Sequence, residues 1–133
     1  MVEKEQLLQA AIKARKFAYA PYSNFQVGAA VLTKSGKIYT GCNIENASYS
    51  LTNCAERTAI FKAISEGETE FQSILIVANT KDVISPCGAC RQVIAEFFKK
   101  DTPIYLAKMN GKYEEWTIEK LLPGSFKAED MYE

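Results

Sequence analysis

Two short stretches of the chain hold residue types that could do chemistry at close spacing: T-N-C-A-E-R at 52–57 and S-P-C-G-A-C-R at 85–91. Cys87 and Cys90 stand three apart. That spacing puts both sulfurs on one face of a first helical turn, where backbone N–H groups and the helix dipole favour thiolates. Such a pair could grip one ion or cycle as a dithiol, and spacing alone leaves both open. Cys54 opens a second predicted helix, two residues before Glu56. Two helix N-termini converging on one point would assemble three sulfurs. Three protein ligands leave the fourth corner of a tetrahedral zinc free for water, which is the pattern of a catalytic site rather than a structural one. Residues i and i+2 of a helix do not face each other, so Glu56 is badly placed to share ligation with Cys54, but its longer arm can reach a water there and carry protons. Three thiolates make a net negative centre, which would blunt the acidification of that water. The helix dipoles offset part of this, and Arg57 is a candidate to bond the thiolates and offset more. A solvent-exposed helix residue is an equal reading of Arg57 by spacing.

The chain has no histidine among its 133 residues, which excludes Ser-His-Asp and Cys-His mechanisms and any zinc site with imidazole ligands. Acid–base work falls to Glu, Asp, Lys or Tyr. Sixteen basic residues balance sixteen acidic ones, whereas a nucleic-acid binder normally carries a basic excess for phosphate contacts. A small, weakly charged ligand fits this balance, and no nucleic-acid partner is expected. The opening MVEKEQLLQ has no apolar core of a secretory signal, and the longest apolar run, 74–78, is too short for a bilayer. A cytoplasmic chain with reduced or metal-bound cysteines is therefore expected. Cys42 has no motif partner and reads as a small buried apolar residue. G-K-I-Y-T-G at 36–41 lacks the Lys and Ser/Thr of a phosphate loop.

These residues need elements to position them. Apolar spacing predicts a first helix over about 3–20, ended by Pro21. Segments 26–33 and 37–43 read as a hairpin about Lys34-Ser35-Gly36. Thr52 and Asn53 are good N-caps for a second helix over 54–65, stopped by Gly67. The run SILIVA at 73–78 has the pattern of a strand covered on both faces. Ser85 is a plausible N-cap, with Pro86 in the first turn, of a third helix reaching about residue 100. Segments 103–109 and 112–117 read as strands joined by a tight turn at Asn110-Gly111, and IEKLL makes a short last helix. The order predicts a single three-layer α/β/α domain over 1–133, with a mixed five-stranded sheet: the hairpin supplies antiparallel pairing and the later crossovers parallel pairing.

The combination C-A-E at 54–56 and P-C-G-A-C at 86–90 resembles the zinc signature of the cytidine deaminase superfamily in its three-cysteine form. FQVGAA at 25–30, GCNIENASY at 41–49, NCAERTAIF at 53–61, SPCGACRQV at 85–93 and LLPGSF at 121–126 resemble the small homotetrameric cytidine deaminases, so the likeness runs along nearly the whole chain. It implies a cytidine deaminase-like fold and one Zn2+ per subunit held by Cys54, Cys87 and Cys90, with Glu56 shuttling protons. It implies that Asn43 and Glu45 bond the ribose hydroxyls, that Phe25 packs on the nucleoside, and that the Ala55 backbone meets the pyrimidine carbonyl. It further implies that Arg57 bonds the thiolates, and that Phe126 reaches a neighbouring subunit's pocket in a homotetramer with shared active sites. By spacing alone Asn43 and Glu45 are turn residues, Phe25 is core, and Phe126 belongs to a polar tail. The activity so implied is hydrolytic deamination of cytidine and deoxycytidine in pyrimidine salvage. Alternatives are a cousin acting on a nucleoside analogue or antibiotic, a structural zinc module, a dithiol redox protein, and a polynucleotide editor.

Overall fold

The computed structural model describes residues 3–131; the first two residues of the opening segment and the last two of the polar tail lie outside the described residues. The elements, in chain order, are α1 (Lys4–Arg15), β1 (Val27–Thr33), β2 (Ile38–Cys42), α2 (Ala55–Ser65), β3 (Phe71–Ala78), α3 (Gly88–Phe97), β4 (Ile104–Lys108), β5 (Tyr113–Trp116) and α4 (Ile118–Leu121). The strands form one sheet in the order β2-β1-β3-β4-β5.

Strand alternation sorts the core into two halves. Ala30 and Leu32 of β1, with Leu75 and Val77 of β3, point to one face and meet Leu7, Leu8 and Ala11 of α1. Ala29 and Val31, with Ile74 and Ile76, point to the other and meet Ala59 and Ile60 of α2, Ile94 of α3 and Leu121 of α4. Both sides of β1 and β3 are covered, so these strands carry the near-continuous apolar runs the sequence shows. The architecture is the expected α/β/α sandwich on a mixed sheet.

Pairing is antiparallel for β1 with β2, β1 with β3 and β4 with β5, and parallel for β3 with β4. Of the two helical crossovers only α3 joins adjacent parallel strands, because β1 lies between β2 and β3. Val27 pairs with Ala78, Gly28 with Cys42, and Ala78 with Lys108. The start of β1 and the ends of β2, β3 and β4 therefore share one pole of the sheet. The helices α2 and α3 both begin there.

Several boundaries differ from the sequence expectation. Helix α1 stops at Arg15 rather than near residue 20, because the chain beyond it is drawn into a bridge: Tyr19 N donates to Asn43 O at 3.0 Å and Glu45 N to Tyr19 O at 2.8 Å. Strand β3 begins at Phe71, whose ring stacks on Phe98 with centroids 5.2 Å apart. The N-caps of α2 and α3 are Cys54 and Cys87, not Thr52, Asn53 or Ser85. The Asn110-Gly111 turn forms as predicted, with Gly111 at φ 94° and Lys112 N bonded to the Asn110 side-chain oxygen at 2.9 Å.

Candidate metal centre and active site

An N-cap residue is extended while the helix after it is not, so its side chain projects beside the first free N–H groups. Cys54 (φ −79°, ψ 158°) and Cys87 (φ −67°, ψ 168°) both have this geometry. Their sulfurs stand 3.7 Å apart, and those of Cys54, Cys87 and Cys90 all lie within 4.8 Å of one another. Two thiolates each about 2.3 Å from a tetrahedral zinc stand about 3.8 Å apart, so the trio fits that ion. Cys90, one helical turn into α3, is buried, Cys54 is half-buried and Cys87 is exposed. The cluster thus has a dry side and an open side.

The loop before α2 is pinned before it reaches the thiols. Ile44 and Asn53 exchange backbone hydrogen bonds of 2.8 and 2.9 Å, which folds residues 45–52 out and sets Asn43 and Glu45 beside Cys54. Asn53 donates to the Thr58 hydroxyl at 3.0 Å, and that hydroxyl donates to the Cys54 carbonyl at 3.1 Å. On α3, Arg91 donates to the Pro86 carbonyl at 2.8 Å, the Ser85 hydroxyl at 3.0 Å and the Leu121 carbonyl. It ties the segment entering Cys87 to α4.

The electrostatics follow from burial and crowding. Three thiols this close share charge. Hydrogen bonding from Cys90, then from Arg57 and Cys87, brings Cys54 down to about 5, while Cys90, donating to Cys54 and buried, is pushed far up. Arg57 Nη2 donates to the Cys54 sulfur at 3.3 Å, and this bond raises its own affinity for its proton. The Arg57 Nε is buried without a partner, close to the thiols. Glu56 is 4% exposed, and burial, reinforced by the negative Cys54, raises it to about 7. It is therefore poised to take and release a proton near neutrality.

A cavity of about 340 Å3 opens on the cluster, lined by Cys54, Ala55, Glu56 and Cys87 on one side and by Phe25, Asn43 and Glu45 on the other. Asn43 is buried and fully oriented: its side-chain oxygen accepts from Val27 N at 2.9 Å and its nitrogen donates to Phe25 O at 2.8 Å. Ala55, fully buried at the first turn of α2, also lines this space. Phe126 does not line it; that ring is 59% exposed, and its carbonyl is held by Gln92 Nε2 at 2.9 Å. A larger hollow of about 520 Å3 crosses β2 between α1 and α2, lined by Phe17, Cys42, Ile44 and the Lys13 and Lys62 stems. No set of polar groups converges on it comparable to the thiol cavity. Cys42 there is half-buried, and burial raises its thiol.

Sequence reasoning missed Ser23, Tyr49, Thr52 and Ile84, which also line the thiol cavity. Their types carry no chemical signal of their own, and Ser23 is held by a partner, Glu45, 22 residues away in the chain.

The profile of the cytidine and deoxycytidylate deaminase zinc-binding region matches residues 1–106. A cytidine deaminase of Sporosarcina psychrophila is 55% identical over 130 residues, spanning 98% of this chain and 96% of that one. One from Halalkalibacterium halodurans is 56% identical over 130 residues, with 98% of each covered. The crystal structure of cytidine deaminase from Burkholderia pseudomallei superposes with a TM-score of 0.90 at 48% identity, covering 94% of this chain and 100% of that one. The matched region is that family's zinc-binding region, and the sulfurs of Cys54, Cys87 and Cys90 could hold such an ion: the chain belongs to the cytidine and deoxycytidylate deaminase family.

Proposed function

We infer that this chain, as one catalytic domain over residues 1–133, carries out zinc-dependent hydrolysis of cytidine and deoxycytidine to uridine and deoxyuridine, releasing ammonia. The observation that carries the reading is the buried Glu56 carboxyl in a cavity whose wall holds two of three clustered thiols.

Cys54, Cys87 and Cys90 would hold the zinc, and bound zinc lowers the pKa of a water toward neutrality. Glu56 would take a proton from a water in the cavity and deliver it to ring N3, which draws electrons from C4 and opens it to the water oxygen. A second proton, from the added oxygen, passes through Glu56 to the exocyclic nitrogen. The C4–N bond then breaks and ammonia leaves. Asn43 and Glu45 hold the sugar hydroxyls, Phe25 packs on the nucleoside, and the Ala55 backbone N–H meets the pyrimidine carbonyl. Arg57 offsets the negative thiolates.

Exposure of Phe126, Tyr49 and Leu51 supports a homotetramer with shared active sites, in which Phe126 reaches a neighbour's pocket. No helix among the described residues is long and apolar enough to cross a membrane, and with the cysteines free this suits a cytoplasmic enzyme of pyrimidine salvage that uses no nucleic-acid partner. A deaminase of nucleoside analogues or antibiotics is not favoured, given identities of 55% and 56% over almost the full chain to cytidine deaminases. A structural zinc module leaves the buried Glu56 without a role.

Zinc content of the purified chain and the ultraviolet change of cytidine, followed with and without a chelator, test the reading. About one zinc per chain and chelator-sensitive turnover are expected. Turnover unaffected by stripping the metal would remove it.

A further inference from the structure

The segment A-P-Y-S-N at 20–24 lies outside every motif that carries the chemistry, yet it brings Ser23 to the cavity wall beside Phe25. Asn24 is the one non-glycine residue at positive φ among those described, at 58°. A left-handed residue costs backbone energy and persists where its surroundings fix it. Here Asn24 N donates to Ala20 O at 2.9 Å, closing the turn. The turn points two successive amides, Tyr22 N at 3.0 Å and Ser23 N at 3.1 Å, at Oε1 of Glu45. The Ser23 hydroxyl bonds the other oxygen, Oε2. Phe25 N donates to that hydroxyl at 3.0 Å.

The direction of this relay is fixed. The Ser23 hydroxyl, with the help of the Ser23 and Tyr22 amides, holds the Glu45 carboxyl below the usual carboxylate range despite the opposing effect of burial. Glu45 is therefore an acceptor only at neutral pH, and the chain runs from Phe25 N–H to the Ser23 oxygen and from the Ser23 O–H to Glu45. An ionised carboxylate has about four acceptor directions, and three are used. One direction on Oε2 remains, on a side chain that lines the cavity.

We propose that Ser23 is a positioning residue for sugar recognition: its hydroxyl locks the Glu45 carboxylate in one rotamer and leaves a single Oε2 direction to accept from a sugar hydroxyl. The inference rests on the reading of Glu45 as a sugar ligand and adds the group that aims it. Ser23 reaches Glu45 across 22 residues of chain, so the effect depends on the turn rather than on local sequence.

The test compares kcat/KM for cytidine and for 2′,3′-dideoxycytidine in the zinc-loaded Ser23→Ala, Ser23→Thr and Glu45→Gln variants. Ser23→Ala should lose about tenfold on cytidine, mostly in KM, as expected for one bond to a charged acceptor. It should leave dideoxycytidine within about twofold. Ser23→Thr, which keeps the hydroxyl, should restore cytidine. An equal loss on both substrates would make Ser23 a merely structural residue and overturn the proposal. So would no loss at all, if Glu45→Gln abolishes the discrimination. Discrimination unchanged in Glu45→Gln would instead remove the sugar-ligand reading itself, and the proposal with it.

Discussion

Gly41 of β2 lies so close to α2 that a methyl group added to it would sit 2.5 Å from the Ala59 amide nitrogen, and 2.6 Å from the Ala55 carbonyl oxygen. Both are backbone atoms of a packed helix and cannot rotate away. Only a side chain of one hydrogen lets α2 settle on the sheet at the depth that sets Cys54 and Glu56 against the cavity. Gly41→Ala should therefore cost about 1–3 kcal/mol by overpacking. It should also lower zinc occupancy, since the helix must lift at the end where its ligand lies. Urea denaturation and metal analysis read both; wild-type values for each would show that α2 is free to move.

Glu56→Gln keeps the volume of the side chain and removes its proton-carrying oxygen. The variant should bind zinc and fold normally while turnover falls by ~10² to 10⁴ or more, because in the proposed mechanism several transfers pass through this one group. Single-turnover kinetics on metal-replete protein would decide it, and near-normal rates would eliminate Glu56 as the carrier.

The metal-free protein should be destabilised by base through the same residue. Below the ordinary value of 4.5 Glu56 is protonated folded and unfolded and contributes nothing. Between that value and its folded value of about 7 the unfolded chain ionises while the native one does not, so the Glu56 contribution to stability falls as pH rises and levels off above about 7, opposite in sign to that of Cys54, whose thiol is lowered to about 5. The plateau is worth about 3 kcal/mol. Glu56→Gln removes this slope, and chelated wild-type and variant proteins melted from pH 4 to 9 should diverge across it. Parallel curves would contradict the buried-carboxyl account.

Acid should act oppositely on the loaded protein. Metal binding needs thiolates, so protons compete with zinc for Cys54, Cys87 and Cys90, and occupancy should fall as pH drops. Cys90→Ala, which removes the buried ligand, should raise the pH at which zinc leaves and lower stability together. A chromogenic zinc chelator used in a pH titration reports the release.

Arg91 spans from the segment entering Cys87 to the last carbonyl of α4, with bonds to Ser85, Pro86 and Leu121. Arg91→Lys cannot make this fork. It should weaken zinc affinity about 10- to 100-fold, as lost support behind metal ligands does, with little change in the rate of the zinc-saturated protein. A fall in rate at saturation with affinity intact would place Arg91 in the chemistry instead.

Much of the site was legible because its thiols sit in local patterns: Cys87 and Cys90 are one helical turn apart, and Cys54 precedes Glu56 by two. The residues that cap the helices were not legible. Thr52, Asn53 and Ser85 are better caps by propensity, yet the cysteines occupy those positions, since a cap side chain points where the ligands must converge. Thr52 instead receives the Asn46 amide at 3.1 Å, and Ser85 is taken by Arg91. The end of α1 was misplaced for a similar reason, Tyr19 being claimed by Asn43 and Glu45 across the sheet. Ser23 was invisible because its partner is distant in sequence.

The crowding of Cys54, Cys87, Cys90 and the proposed sugar contacts Asn43 and Glu45 at one pole of the sheet leaves the opposite hairpin clear of the cavity. The Lys34-Ser35-Gly36 bend is exposed there, with Gly36 already at φ 92°. A short epitope or fluorophore-bearing peptide spliced at this bend should be carried without loss of catalysis, giving a handle for imaging or immobilisation at the end remote from the nucleoside.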